Sequence, residues 1–571
     1  MTSLKSAYEG AVENLIQPGS PFETGRKSYG GVDTLAYVNA PKTLVALLAP
    51  GRAFADEEFL VYQDERYSFG EFFDQSDRLA QQLIAQFGIR KGDRVAIAMR
   101  NYPEWLVSFV AIASTGAVVV PLNSWGQAEE LRLNLVDAQV SLVICDQQRL
   151  VLINPVALSM PAIVARSAEP LPENCASFQQ LLNAVDTNDD PGAPPAVVID
   201  GEDPAMILYT SGTSGRAKGA LFSHRNCCQA IVNLEAVGAM AYILNADAFN
   251  GHAQLGAPAK SLLTVPLFHV AGLYSLFLLN LRNGRGIVMM HKWDPVTACQ
   301  LIDREKITVV VGAPSMLLDL IQRDEFSAAD TGNLINFSGG GAATPTRLAE
   351  LVREKAPNAL PGAGWGLTES GSAGTAFTGY PVTAKPGASG FVNPVVELRF
   401  CEEDGTEVAT GTAGEIWIKS PTLINGYINA PEANASDFRD GWFKTGDIGY
   451  LDEDGCMFIC DRAKDLVIRG GENIYPVEIE NCIQSIPGVQ RVAAFAVPSE
   501  RLGEELAVVI SCSSADLEQL TAEMVQQHCQ EKLAKFKVPS FIKFTDLDLP
   551  MNAMSKVLKR QVKDIYFPLS E

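Results

Sequence analysis

One segment of the chain combines glycines, small hydroxyl residues and a single lysine, the residue types that bind phosphate groups. It follows the short apolar run 205–208 and ends with Lys218 and Gly219. Glycines keep side chains out of the way, so backbone N–H groups and hydroxyls can converge on an anion. The spacing differs from the Walker pattern, in which lysine directly follows the second glycine. Alone, the segment is equally compatible with a flexible surface loop. The candidate phosphate-binding residues are Thr210, Ser211, Gly212, Thr213, Ser214, Gly215 and Lys218.

Five further short segments with glycines, carboxylates or basic side chains follow this loop in order. Taken singly, they say little, because Trp365 is typical of a packed core and Asp447 of an ordinary turn. Their order along one chain is more informative than any of them alone. The five are 266–272 with His269, 338–343 with three glycines, 364–369 with Trp365 and Glu369, 445–447 with the later pair Asp461 and Arg462, and 549–556 with Lys556.

The elements that position these segments follow an alternating pattern of helices and strands. Ser68 and Glu71 have capping-box spacing and open a predicted helix that ends at Gly88. A strand over 94–99 and a helix from Pro103 follow, and the alternation continues to about residue 450. This pattern predicts layered α/β structure with parallel sheets. The predicted apolar face of the first helix is Phe72, Leu79, Leu83 and Ile84.

The character of the sequence changes near residues 461–465, where turn-rich segments give way to a short α+β pattern. We place a hinge at Lys464 and predict helices over 477–485 and 516–533 beyond it. Predicted strands over 490–497 and 507–512 lie between those helices. The predicted division of the chain is a lead-in segment 1–50, a large domain 51–463 and a small domain 464–571.

Composition excludes several classes of function. A chain of 571 residues with 47% hydrophobic residues is long enough for a large domain and a smaller one. The net charge of −22 disfavours nucleic acid as a partner. No signal peptide or transmembrane segment is predicted, and 11 cysteines form neither a disulfide framework nor zinc-site spacing. A cytoplasmic protein with reduced thiols is the simplest expectation.

The six ordered segments resemble the adenylate-forming superfamily of acyl-CoA synthetases, luciferases and peptide-synthetase adenylation domains. The resemblance covers about residues 40–565. It implies a large N-terminal domain of layered α/β subdomains with a small β-barrel-like part, and a small mobile α+β C-terminal domain. It also implies two half-reactions in one site. A carboxylate and ATP give an acyl-adenylate and pyrophosphate, and the small domain then rotates about Lys464 so that CoA accepts the acyl group.

The resemblance implies catalytic roles that the chemistry of the residues supports. Lys556 would offset the repulsion between an attacking carboxylate and the α-phosphate. Glu369, with Thr210, would hold Mg²⁺, and Thr368 would contact the α-phosphate. Two positions depart from the usual pattern, since Asn552 stands in place of threonine and Ser555 in place of glycine.

The remaining implied roles concern the nucleotide and the pantetheine arm of CoA. Trp365, where tyrosine is usual, would stack on adenine, and Asp447 would accept hydrogen bonds from the ribose hydroxyls. Gly470 and Gly471 would let pantetheine pass close to the backbone. The other predicted nucleotide- or CoA-binding residues are Gly339, Gly340, Gly341, Ala342, Gly366, Leu367, Arg462 and Lys464.

The carboxylic acid is predicted from the neighbourhood of His269. Amino-acid-activating members have an aspartate at that position, so an amino acid is disfavoured. His269 is equally compatible with a gate at the acyl entrance and with a structural histidine. The apolar segments 270–274 and 309–316 favour an apolar acid, with a medium- or long-chain fatty acid ahead of an aryl acid.

The closest resemblance is thus to fatty-acyl-CoA or aryl-CoA ligases, magnesium-dependent enzymes of fatty acid metabolism among them. Alternatives remain open at this point. They are an aryl-CoA ligase of the coumarate or benzoate type, an acyl-AMP ligase loading a phosphopantetheine carrier, a luciferase-like oxygenase and an inactive nucleotide-binding protein. The predicted cofactors are ATP, Mg²⁺ and CoA, and a homodimer is a further expectation.

Overall fold

A computed structural model describes residues 3–154, 159–167, 170–184, 196–210, 217–341, 344–469, 472–552 and 555–568. It contains three larger sheets, two in the N-terminal part of the chain and one in the C-terminal part. Helices pack against the faces of all three sheets. The predicted mixed α/β class, with a large and a small domain, is confirmed.

The predicted lead-in segment is folded and packs on the large domain. It forms the helix Leu4–Ile16, the antiparallel strands Thr24–Tyr29 and Val32–Tyr37, and the short helix Leu44–Leu48, followed by a 3₁₀ turn over Ala49–Phe54. The Tyr8 ring stacks on Phe391 with centroids 4.1 Å apart.

The first large sheet has seven strands, and six of them run parallel to one another. Only the strand Lys218–Ser223, at one edge, is antiparallel to its neighbour. The strands in spatial order are Lys218–Ser223, Pro204–Thr210, Val118–Pro121, Arg94–Ala98, Leu142–Asp146, Ala162–Ala165 and Cys175–Ser177. The accompanying helices are Phe69–Ala85, Pro103–Ser114, Ala128–Asp137, Gln147–Ile153 and Phe178–Asn183.

The helix Phe69–Ala85 tests the capping and periodicity arguments directly. The predicted capping box forms, because the Ser68 hydroxyl accepts the Glu71 N–H and the Glu71 carboxylate accepts the Ser68 N–H. Three residues of the predicted apolar face are buried, but Ile84 is 38% exposed. At 100° per residue, Ile84 lies far around the helix from the stripe of the other three, so its assignment to the buried face was wrong.

The second large sheet has 14 strands and joins a parallel half to an antiparallel half. The strands in order are Glu397–Cys401, Gly414–Lys419, Trp442–Leu451, Cys456–Arg462, Gly390–Val392, Gly374–Thr378, Leu360–Gly366, Asn336–Gly339, Val309–Gly312, Lys260–Leu263, Gly286–Met289, Glu58–Tyr62 and Glu65–Ser68, with Phe438–Arg439 paired to Trp442–Leu451.

The expectation of parallel sheets up to residue 450 was wrong for this second half. Every pairing from Gly374 to Arg462 is antiparallel. The connection from Gly366 to Gly374 is too short for the crossover that a parallel pair needs. Further helices of the large domain are His224–Leu244, Ala246–Ala253, the π-helix Ala271–Leu278, Leu279–Arg282, Pro295–Glu305, Pro314–Ile321, Asp324–Ala328, Thr346–Lys355, Tyr380–Ala384 and Pro431–Asp437.

The helix His224–Leu244 is the one helix among the described residues that is long and apolar enough to cross a membrane. Half of its apolar window is buried inside the protein. It packs against the helix Leu4–Ile16 and the strand Lys218–Ser223. Its apolar character is therefore accounted for by packing in the large domain.

The small domain is a five-stranded sheet with helices. Its strands are Val467–Arg469, Glu472–Ile474, Val489–Ser499, Gly503–Cys512 and Phe541–Thr545, and its helices are Pro476–Gln484, Ser514–Leu517, Ala522–Lys532 and Lys559–Tyr566. The single helix predicted over 516–533 was wrong, because the segment is two helices. Thr521 interrupts it by capping the second one, its hydroxyl accepting the Met524 N–H.

Candidate active site

A cleft of about 1510 Å³ lies where the carboxyl ends of the parallel strands meet the small domain. Ligands of α/β sheets bind at this end of the strands. Most of the predicted site residues that the structure describes line the cleft together: Thr210, Lys218, His269, Gly339, Gly340, Gly341, Trp365, Gly366, Leu367, Thr368, Glu369, Arg462, Lys464 and Lys556. The predicted residues Ser211, Gly212, Thr213, Ser214, Gly215, Ala342, Gly470 and Gly471 lie outside the described residues.

The two ends of the predicted phosphate loop are held by neighbouring strands. Thr210 ends one strand and Lys218 begins the next, and the two residues are directly paired. The Lys218 Nζ lies 3.0 Å from the Asp437 carboxylate and 4.4 Å from the centroid of the Tyr427 ring. The lysine is thus fixed at the cleft by a carboxylate that sequence analysis did not identify.

Glu369 stands in a 3₁₀ turn, Thr368–Ser370, one residue after the strand Leu360–Gly366 of the second large sheet. Its Oε1 accepts a hydrogen bond of 2.7 Å from the Tyr427 hydroxyl. Burial raises the pKa of Glu369, while the Tyr427 hydrogen bond acts to lower it. No sequence signal indicated Tyr427, because it lies 58 positions from the carboxylate that it contacts.

The residues around Glu369 fit a magnesium ion that is held mainly by substrate oxygens. Among the described residues, no group of three or more His, Cys, Asp or Glu side chains could hold a metal. Mg²⁺ is usually bound by one or two carboxylates together with water and phosphate oxygens. Glu369 supplies one carboxylate to the cleft that Thr210 also lines, which agrees with that mode.

Trp365 joins Asp447 and Arg462 in one connected group, although only Asp447 and Arg462 lie on adjacent strands. The Trp365 indole donates a hydrogen bond of 2.8 Å to one Asp447 oxygen, and Arg462 Nε lies 2.7 Å from the other. Asp447 and Arg462 are direct partners in the sheet register. Asp447 is 5% exposed, so its carboxylate is fixed by both neighbours. Trp365, the residue predicted to stack on adenine, lines the cleft as well as making this hydrogen bond.

Lys556 reaches the cleft from a turn of the small domain. Its backbone N–H donates to Asn552 Oδ1 at 3.0 Å, so the asparagine shapes the turn that presents the lysine. Ser555 adopts a left-handed φ of 56°, at the position where glycine is usual. The Ser315 hydroxyl donates to the Ser555 carbonyl at 3.1 Å and connects the two domains. Burial and nearby Arg462 lower the pKa of Lys556.

The predicted hinge is a single 3₁₀ turn, Ala463–Asp465. Just before it, Asp461 accepts the N–H of Arg462 with one oxygen and the N–H of Val477 with the other. This buried carboxylate therefore joins the end of the large sheet to the first helix of the small domain. Lys464 lines the cleft, and burial lowers its pKa.

His269 lies at the start of the π-helix Ala271–Leu278, a type of helix often found at functional sites. Its ring packs beside Phe268, with centroids 4.5 Å apart, and makes no hydrogen bond to a residue that the structure describes. Burial lowers its pKa to about 4. The imidazole is therefore neutral at physiological pH and faces the cleft.

Comparison with known proteins identifies the class of this fold and cleft. The AMP-binding enzyme family matches residues 49–428, and the AMP-binding enzyme C-terminal domain matches residues 478–556. The chain therefore belongs to the AMP-binding enzyme family, and the predicted place in the adenylate-forming superfamily is confirmed. Within this family, the chain is an acid–thiol ligase, which confirms the predicted enzyme class.

Three relatives illustrate this similarity. The chain is 32% identical to a feruloyl-CoA synthase of Amycolatopsis sp over 85% of this chain and 91% of that protein. It is also 32% identical to the long-chain-fatty-acid–CoA ligase FadD13 of Mycobacterium tuberculosis, over 88% and 94%. The o-succinylbenzoate coenzyme A synthetase MenE of Bacillus subtilis, solved with ATP and a magnesium ion, has a TM-score of 0.73 and 26% identity over 91% and 99%. These names agree with the predicted cofactors ATP, Mg²⁺ and CoA.

Proposed function

We propose that the chain is an ATP-dependent acyl-CoA synthetase that works through an acyl-adenylate. The observation that carries the proposal is the meeting of Lys556, from the small domain, with Lys218 and Glu369, from the large domain, on one cleft. Charge-bearing groups of both signs on one cleft support a reaction there between a carboxylate and a triphosphate.

In the first half-reaction, Lys556 binds the attacking carboxylate and the α-phosphate and reduces their repulsion. Lys218 and the loop from Thr210 hold the β- and γ-phosphates, and Thr368 contacts the α-phosphate. Glu369 and Thr210 would hold Mg²⁺, which supplies charge neutralisation between phosphate oxygens. The residues assigned to the nucleotide are Gly339, Gly340, Gly341, Ala342, Trp365, Gly366, Leu367, Asp447 and Arg462.

In the second half-reaction, the small domain rotates about Lys464 and Lys556 leaves the cleft. Gly470 and Gly471 then face the site, and the CoA thiol attacks the acyl carbon as AMP leaves. The one-turn hinge supports this motion, since a few residues at the end of an element can absorb a large change in backbone angles. In this proposal, the small domain 464–571 rotates relative to the large domain 51–463.

For the acid, we propose an apolar body with the length of a medium- or long-chain fatty acid. The cleft continues between the π-helix and the sheet, where alanine and valine residues contribute to its walls. A neutral His269 at its entrance is compatible with a gate for an apolar chain. An aryl acid is the second candidate, supported by the 32% identity to a feruloyl-CoA synthase.

CoA is the proposed acceptor, with a phosphopantetheine carrier as the alternative. A cytoplasmic location is proposed on the absence of disulfides, because the cysteines of the described residues are free. A homodimer stays a prediction, which analytical ultracentrifugation would test.

A carboxylate panel with ATP and Mg²⁺, with and without CoA, tests the proposal. We expect pyrophosphate release with a subset of the acids, and acyl-CoA formation only when CoA is present. Pyrophosphate release that needs no carboxylate, or an adenylate that CoA does not consume, would contradict the proposed synthetase. The second result would favour a carrier-protein acceptor.

A further inference from the structure

The cleft continues from its glycine-rich end as a channel along one face of the parallel half of the second large sheet. Alternate residues of a strand share one face, and pairs of alternate residues line the channel on two neighbouring strands. The channel therefore runs from the carboxyl ends of these strands toward their amino ends. Its sheet-side lining includes Ser261, Val309, Val311, Asn336 and Ser338.

Arg285 lines the far end of this channel. It directly precedes the strand Gly286–Met289, and the Gly286 N–H donates to the Ala259 carbonyl at 2.9 Å. Gly339, by contrast, ends a strand three places away in the sheet. Strand spacings of about 4.8 Å and rises of about 3.3 Å per residue put the two backbones roughly 20 Å apart. An extended acyl chain of medium to long length spans that distance.

The Arg285 guanidinium has no hydrogen bond or ion pair with any residue that the structure describes. The nearest carboxylate on the channel wall, Glu235, already accepts hydrogen bonds of 2.8 Å from Arg282 Nε and from Asn283 Nδ2. Two guanidiniums and one carboxylate leave this end of the channel with a net positive charge. The Arg285 side chain is exposed to solvent, although the protein atoms around it lower its pKa through desolvation.

This charge conflicts with a purely apolar chain end. A methyl terminus beside Arg285 would remove water from the guanidinium without offering a hydrogen-bond acceptor, which is costly for a charged group. A carboxylate there would accept two parallel hydrogen bonds and would neutralise the charge. The channel would then bind one carboxylate at each end.

We propose that Arg285 is a specificity-determining residue that binds a second carboxylate at the far end of the substrate. The substrate class is then an acid with an apolar middle and two carboxylate ends, one of which is activated near Lys556. This inference rests on the proposed synthetase function and changes only the far end of its substrate.

The test compares straight-chain monocarboxylic acids with α,ω-dicarboxylic acids of the same length in the pyrophosphate-release assay. At the length that spans the channel, we expect the wild-type kcat/KM to favour the diacid. Arg285→Met should lower the diacid-to-monoacid ratio of kcat/KM by about 10- to 100-fold, the value of hydrogen bonds to a charged group. Arg285→Lys should keep part of the preference because it keeps the charge.

The control variant is Arg353→Met, which removes an exposed arginine from a helix outside the cleft and should keep the wild-type ratio. Because both acids are measured on one preparation, partial unfolding of a variant does not change the ratio. A ratio unchanged by Arg285→Met, or a wild-type preference for monoacids at every length, would overturn the inference while leaving the synthetase intact. Pyrophosphate release with neither series would instead contradict the proposed function.

Discussion

At the scale of single residues, the site divides into side chains that motifs indicated and side chains that only the fold reveals. Glu369 and Lys556 were predictable, because each stands in a short segment of recognisable order. Tyr427 and Asp437 were not, because they contact Glu369 and Lys218 from 58 and 219 positions away. No local sequence pattern indicates Arg285 either, and only the strand register places it on the channel.

Lys556→Ala should abolish pyrophosphate release and leave the transfer of a supplied acyl-adenylate to CoA. The reason is that the lysine is proposed to act only while the carboxylate and the α-phosphate meet. Both half-reactions can be measured in single-turnover experiments. The neighbouring Arg560→Ala, at an exposed position, is the control. Adenylation near the wild-type rate in Lys556→Ala would show that the assignment is wrong.

Tyr427→Phe should raise the Mg²⁺ concentration needed for half-maximal activity and move the acidic limb of kcat/KM to higher pH. The Tyr427 hydroxyl acts to lower the pKa of Glu369, so its removal raises that pKa, and a higher pH is needed to ionise the carboxylate. Activity is then lost earlier as the pH falls. Pyrophosphate release measured across pH and Mg²⁺ concentration checks this, with Tyr450→Phe as a control. An acidic limb of kcat/KM that moves to lower pH in Tyr427→Phe would contradict this role of the Tyr427 hydroxyl.

At the scale of elements, local chemistry was predictable and the pairing of strands was not. The Ser68 capping box forms as predicted, because both of its hydrogen bonds lie within four residues. The antiparallel strands from Gly374 onward were misjudged, because strand direction depends on neighbours that alternation does not reveal. The helix break at Thr521 was missed because a single hydroxyl cap interrupts a segment of otherwise helical composition.

Ser68→Ala should reduce the free energy of unfolding by about 1 kcal/mol, the usual value of an N-terminal cap. The large domain would lose the acceptor for the Glu71 N–H at the start of a helix that carries its core. Urea denaturation measures the change. Ser68→Thr keeps a hydroxyl and should cost less, and equal losses in the two variants would exclude the hydrogen bond as the cause.

At the scale of the whole molecule, two domains share one cleft, and hydrogen bonds between described residues join them. The Ser315 hydroxyl bonds the Ser555 carbonyl across the interface, and Asp461 joins the hinge to the helix Pro476–Gln484. The division into two domains was predictable from the change in sequence character. Which side chains meet across the interface was not, because that depends on how the small domain is rotated.

Lys464→Pro should slow acyl transfer to CoA by about tenfold or more and affect adenylation less. Proline fixes φ near −65°, so the hinge can no longer absorb a large change at this residue. Rapid-quench measurements of adenylate formation and adenylate consumption separate the two steps. Lys464→Ala removes the same charge without restricting φ and serves as the control. Equal slowing of both steps would contradict the hinge assignment.

The stacking of Tyr8 on Phe391 has a consequence for the synthesis of the chain. The two rings belong to residues separated by most of the large domain, and the Tyr8 hydroxyl also donates to the Val392 carbonyl at 2.7 Å. A ribosome makes the helix Leu4–Ile16 well before either partner; the helix His224–Leu244 emerges partway through, but the surface at Phe391 and Val392 emerges only after residue 392. During translation at about 5–20 residues per second, Tyr8 must wait tens of seconds for Phe391. The large domain therefore completes its packing late, and the contact between Tyr8 and Phe391 is among the last to form.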